Sequence, residues 1–220
     1  MMEKGNLEGH VAIFDLDGTL IDSKKKLRMD VYTALRRRGF NVSYAETDMN
    51  WSMIAAKYGL TMKNFLDILD PRKSWEDSIR DKEVKIFPET HEVLSKLRKR
   101  RIRLGLLTKS LEEYTNVKLD SFDLAKYFEQ VVTVPMEASY DPFAIELVKR
   151  LDPSTINTAY FIGDREEEIY VEKAVRMKFS NFNLETWGVC INREGKGLNN
   201  YITIFSLDEI FRVIENGRKD

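Results

Sequence analysis

Residues 11–22 read Val11-Ala12-Ile13-Phe14-Asp15-Leu16-Asp17-Gly18-Thr19-Leu20-Ile21-Asp22. An apolar run ends in two carboxylates spaced i, i+2, followed at once by Gly-Thr. Strand residues alternate between faces, so Asp15 and Asp17 are expected to point the same way. Like charges this close repel, and both sit at the end of a strand that should be buried. A hard divalent cation, which takes oxygen ligands, would hold them together. Asp-Gly is also a strong hairpin-turn dipeptide. A turn accounts for Asp17-Gly18 but not for Asp15, nor for the continuation as Thr-Leu, so the stretch points to chemistry.

Outward from it, further apolar runs read as strands near 102–107, 130–134, 158–163, 187–191 and 201–205, with the first spanning about 10–16. Segments of helical periodicity lie between most of them. This alternation implies an α/β fold with a mainly parallel sheet covered by helices on both faces. Asp141-Pro142 reads as an N-cap followed by proline at the first helical position. Ser206-Leu207-Asp208-Glu209 offers a capping box for a last helix.

The stretch 22–86 has no convincing strand. Leu27, Val31 and Leu35 repeat every four residues up to Gly39. Trp51, Ile54, Ala55 and Tyr58 follow the i, i+3, i+4, i+7 template up to Gly59, and Met62, Phe65, Leu66 and Leu69 do so up to Asp70-Pro71. A weaker helix carries Trp75 and Ile79. The expectation is a helical bundle inserted after the first strand, on short hinges near Asp22 and Phe87, with Trp51 and Trp75 in its own core.

The Asp-x-Asp-Gly-Thr-Leu of residues 15–20 resembles the first motif of the haloacid dehalogenase-like phosphatase superfamily. Leu104-Gly105-Leu106-Leu107-Thr108 resembles its second motif, an apolar strand ending in Thr or Ser. Tyr160-Phe161-Ile162-Gly163-Asp164, with Glu168 four residues on, resembles its fourth. The insertion matches the helical cap of the phosphoglycolate phosphatase and beta-phosphoglucomutase-like branch. The resemblance implies a Rossmann-like core, 1–21 and 87–220, and an all-helical cap, 22–86, acting as a lid.

It also implies a mechanism. Asp15 would attack phosphorus and carry an aspartyl-phosphate, and Asp17 would protonate the leaving group and later take a proton from water. Mg2+ would be held by Asp15, the Asp17 carbonyl and Asp164, with Glu168 on a metal-bound water. Thr108 would hold a phosphate oxygen, and Gly18 would let the backbone turn. Having Asp17 favours phosphoryl transfer over dehalogenation. The sequence departs from the family where a lysine usually precedes the helix before the fourth motif: Ser139 stands there. Lys109 and Arg165, each next to a motif residue, are the expected replacements. The expected function is hydrolysis of a small phosphorylated metabolite; a phosphomutase, or a degenerate member that binds phosphate or a partner without turnover, are the alternatives.

With 220 residues, 43% apolar and 32% charged, the chain suits one good core and a smaller appendage. A net charge of -1 gives no reason to expect nucleic acid or an anionic membrane as partner. The single Cys190 excludes an internal disulfide framework and suits a reducing compartment. The start, Met1 to Asn6, carries no apolar signal core and no run is long enough to span a bilayer, so a cytoplasmic monomer or homodimer is expected. The basic run Lys96 to Arg103 reads as cations closing a helix C-terminus. Neither His10 nor His91 belongs to a constellation, and the segment 178–185 has no assigned role.

Overall fold

The computed structural model describes residues 7–69, 74–193 and 201–216. The N-terminal stretch before Leu7 and the Asp70-Pro71 helix stop lie outside these residues. The elements run β1 (His10–Phe14), β2 (Ile21–Asp22), α1 (Lys24–Arg37), α2 (Trp51–Lys57), α3 (Met62–Ile68), α4 (Trp75–Arg80), β3 (Lys85–Ile86), α5 (Thr90–Lys99), β4 (Arg103–Thr108) and α6 (Glu112–Ser121). They continue with β5 (Gln130–Thr133), α7 (Asp141–Arg150), β6 (Thr158–Gly163), α8 (Glu166–Ile169), α9 (Val171–Lys178), β7 (Glu185–Ile191), β8 (Ile202–Ile204) and α10 (Ile210–Asn216). The chain divides into two compact units, 1–21 with 86–220, and 22–85.

The first unit is built on a six-stranded sheet in the order β5-β4-β1-β6-β7-β8. Its ladders are parallel, and β1 lies between β4 and β6, with Phe14 level with Leu106 on one side and Ile162 on the other. Val11 and Ile13 enter a core with Leu107, Val132, Ala159 and Phe161 that α7 and α9 complete through Leu147, Val148, Val171 and Val175. Ala12 and Phe14 are equally buried on the opposite face, where α5 packs on β4. A strand covered on both sides has to be apolar throughout, which is why these runs do not alternate.

Local signals set the ends of the elements. In the basic run, Lys96, Arg98 and Lys99 occupy the last turn of α5, where they complement the helix dipole. Arg100 pairs with Glu215 and Arg103 with Glu129, at 2.7 and 2.8 Å. Before α7 the expectation needs correcting. Asp141 is already the first helical residue, and the Ser139 hydroxyl accepts its N–H at 3.3 Å. Near Ser206, Glu209 accepts the Ser206 and Phe205 N–H groups, the carboxylate half of the capping box. The unassigned segment 178–185 buries Phe179 and Leu184 in the core and turns through Asn183 at φ 46°.

The second unit is helical between its joints. Val31, Leu35, Val42, Ile54, Ala55 and Phe65 form its core. Trp51 meets Phe65 edge-on at 5.8 Å, and Trp75 is buried beneath the Lys26 ammonium at 4.6 Å. Gly39 and Gly59, at φ 85° and 67°, end α1 and α2 in the left-handed conformation that favours glycine.

Candidate active site

Thr108, Asp15 and Asp164 follow or close the carboxyl ends of β4, β1 and β6, three adjacent strands. The chain passes outward from β1 through β4 to β5 and then returns to β6 on the other side of β1. Such a reversal opens a crevice at the strand ends, where ligands of α/β sheets bind.

Asp15 is buried, its N–H donating to the Ile162 carbonyl at 2.9 Å. Its Oδ2 has no hydrogen-bond partner among the described residues. Oxygens of Asp15, Asp164 and Glu168 lie within 4.8 Å of one another. Burial, followed by the charges of Asp164 and Asp17, pushes the Asp15 carboxyl well above the usual carboxylate range. Glu168 is raised for the same reasons: burial first, then Asp15 and Asp164. Arg165 is close enough to oppose both shifts. A buried carboxylate oxygen with no donor, inside an all-oxygen acidic cluster, is an arrangement that suits a hard divalent cation.

Two glycines permit this approach. Gly18 sits at φ 95°, and a Cβ there would lie 2.6 Å from the Asp164 carboxylate. A Cβ on Gly163 would lie 2.5 Å from Glu168 Oε2. That Oε2 accepts the N–H groups of Asp164 and Arg165, each at 3.0 Å, so Glu168 also fixes the loop that carries Asp164.

Asp17 departs from the expectation of a shared strand face. β1 ends at Phe14, and the chain then turns, with Gly18 N–H donating to the Ile21 carbonyl at 2.8 Å. The Asp17 carboxylate is held by Lys118, Nζ to Oδ2 2.5 Å, outside the Asp15, Asp164, Glu168 cluster. Lys118 is the residue sequence reasoning missed. It is fully buried on α6 and also donates to Ser110 Oγ at 2.8 Å. The available signal was a lysine on the same helix face as Thr115 and Leu119.

The expected replacement cations both flank motif residues at the crevice. Lys109 pairs with Glu167 at 3.4 Å and stands 4.8 Å from the Tyr140 ring centre. Burial raises the Tyr140 phenol far above its usual range, with Glu168 and Asp15 adding to the effect. Arg165 is exposed and follows Asp164. Thr108 is buried, its Oγ1 accepting the Ser110 N–H at 3.3 Å. The two histidines pair locally, His10 with Tyr160 and His91 with Tyr127.

A family profile described as Haloacid dehalogenase-like hydrolase matches residues 12–182, from β1 through the fourth motif and beyond. The chain belongs to that family. Within it, the chain resembles a phosphoglycolate phosphatase of Pseudomonas syringae, 26% identical over 179 residues. That match covers 74% of this chain and 65% of the Pseudomonas protein, just under two thirds of the relative's length. A phosphoglycolate phosphatase of Aquifex aeolicus is 26% identical over 196 residues, covering 81% of this chain and 85% of the relative. Among solved structures, an HAD phosphatase from Thermococcus onnurineus superposes with a TM-score of 0.63 at 22% identity, over 93% of this chain and 97% of that one. The haloacid dehalogenase-like fold is thus shared at low sequence identity. No helix among the described residues is long and apolar enough to cross a membrane.

Proposed function

We propose that this haloacid dehalogenase-like protein is a Mg2+-dependent phosphatase acting on a small phosphorylated metabolite. The observation that carries this reading is Asp15: a buried carboxylate, one oxygen without a donor, at the mouth of the central strand beside Asp164 and Glu168. A carboxylate in that position is a nucleophile for phosphorus.

Asp15, Asp164 and Glu168, with the Asp17 carbonyl, would hold the metal, which supplies charge neutralisation between anionic nucleophile and anionic substrate. The chain's own groups do the rest. One Asp15 oxygen forms a bond to phosphorus as the ester oxygen leaves, and Asp17 gives that oxygen its proton. Asp17 then takes a proton from water as the water oxygen attacks the aspartyl-phosphate, releasing inorganic phosphate and restoring Asp15. The Thr108 hydroxyl and the N–H groups following Asp15 and Thr108 bind phosphate oxygens, and Arg165 and Lys109 add positive charge around them. The helical unit is assigned the family's cap role, and the similarity to phosphoglycolate phosphatases makes small phosphorylated acids the first substrates to try.

The test is hydrolysis of p-nitrophenyl phosphate with Mg2+ and with EDTA, followed by a panel of phosphorylated metabolites beginning with phosphoglycolate. Metal-dependent turnover with a preferred metabolite supports the reading. Absence of turnover on every phosphate ester overturns it.

A further inference from the structure

We propose that Lys118 provides the positive charge that the family places at the position of Ser139, as a positioning residue reaching the site from α6. The inference rests on the phosphatase reading and assigns a residue that the family motifs do not supply here.

Taking an ammonium out of water is costly unless it is paired and bonded. Lys118 is fully buried, and its Nζ meets Asp17 Oδ2 at 2.5 Å and Ser110 Oγ at 2.8 Å. Its partner is the proton donor of the proposed reaction, 101 positions away in sequence. Long side chains on a helix lean back towards its N-terminus. From α6 that direction leads to the loop after β4, where Ser110 lies. The same serine donates its N–H to Thr108 Oγ1 at 3.3 Å. Thr108, Ser110, Lys118 and Asp17 therefore form one hydrogen-bonded series running from the second motif to the first.

The other positions do not offer this. Ser139 is neutral and its hydroxyl accepts the Asp141 N–H at the start of α7. Lys109 is turned to Glu167 and the Tyr140 ring. Arg165 acts on Asp15 and Glu168, whereas Lys118 alone among these cations is bonded to Asp17. A charge fixed in a buried setting acts more strongly than one in water. In this arrangement Lys118 fixes the position of the Asp17 carboxyl and adds a buried positive charge on Ser110, the residue that also bonds Thr108, the proposed holder of a phosphate oxygen.

The experiment compares the parent with Lys118→Met, which keeps the apolar stem, and Lys118→Arg, on p-nitrophenyl phosphate with saturating Mg2+. Affinity for inorganic phosphate is measured alongside by calorimetry. Lys118→Met is expected to lower kcat about a hundredfold and weaken phosphate binding, with part of kcat restored by added ethylammonium and by Lys118→Arg. A purely structural role would not respond to an added amine. A Lys118→Met protein with parent-like kcat and phosphate affinity overturns the inference, as does a loss that neither ethylammonium nor Lys118→Arg restores. If Lys118→Met does not fold, Lys118→Gln is assayed against the same criteria. A parent that neither hydrolyses phosphate esters nor binds phosphate overturns the phosphatase reading itself, and the inference with it.

Discussion

Gly18 and Asp164 are packed so closely that a Cβ on the glycine would lie within 2.7 Å of all three atoms of the aspartate's carboxylate group. The turn after β1 and the loop after β6 thus fit together only through the absence of a side chain. The φ of 95° at Gly18 imposes the same requirement independently.

Gly18→Ala should therefore damage the site and the fold together. A left-handed alanine alone costs more than about 1 kcal/mol, and the clash with Asp164 adds to it. For a chain of this size, thermal denaturation is expected to show a fall of about 2–4 °C per kcal/mol. Activity should fall further than stability, because Asp164 has to move. A parent-like Tm and rate would show that the two loops are not tightly docked.

The acidic cluster makes a prediction about pH. Asp15 and Glu168 have folded-state pKa values raised above the ordinary 3.8 and 4.5. Each binds its proton more tightly folded than unfolded, so the stability it contributes is present below the ordinary value and lost as pH rises through the raised one. In EDTA, stability should decline across that interval towards neutral pH, and Mg2+ should reverse the decline. Melting curves at several pH values, with and without Mg2+, measure both effects. A metal-free protein whose stability climbs through the same interval would contradict the clustering.

Arg193 ties the first motif to the start of α5. Its Nη1 donates to Glu89 Oε1 at 2.6 Å, Nη2 donates to the Thr19 carbonyl at 3.2 Å, and the guanidinium lies 3.6 Å from the Phe87 ring centre. Arg193→Ala leaves a partly buried carboxylate without its guanidinium partner, at a cost of about 1–3 kcal/mol. Thermal unfolding is the readout, and an unchanged Tm would count against the clamp.

The fold and half of the site are legible in the sequence for the same reason. Asp15, Thr108 and Asp164 each end an apolar run, and a parallel sheet carries such ends to one edge whatever the rest of the chain does. Lys118 was hidden because its role depends on how α6 is rotated against a residue 101 positions away. The direction of the Asp17 carboxylate was hidden too, since alternation holds only while the strand lasts and β1 ends at Phe14. Ser139 showed where a charge is missing, and Lys109 and Arg165 were the candidates that adjacency to a motif could offer; a lysine distant in sequence, such as Lys118, is brought near only by the fold.

The most direct test of the account is the rate of p-nitrophenyl phosphate hydrolysis, with saturating Mg2+, by the parent and by Asp15→Asn. The substitution keeps the shape of the side chain and removes the nucleophilic charge. Mg2+-dependent turnover is expected of the parent and a loss of at least about a hundredfold of Asp15→Asn; turnover by Asp15→Asn at the parent's rate would contradict the nucleophilic role of Asp15.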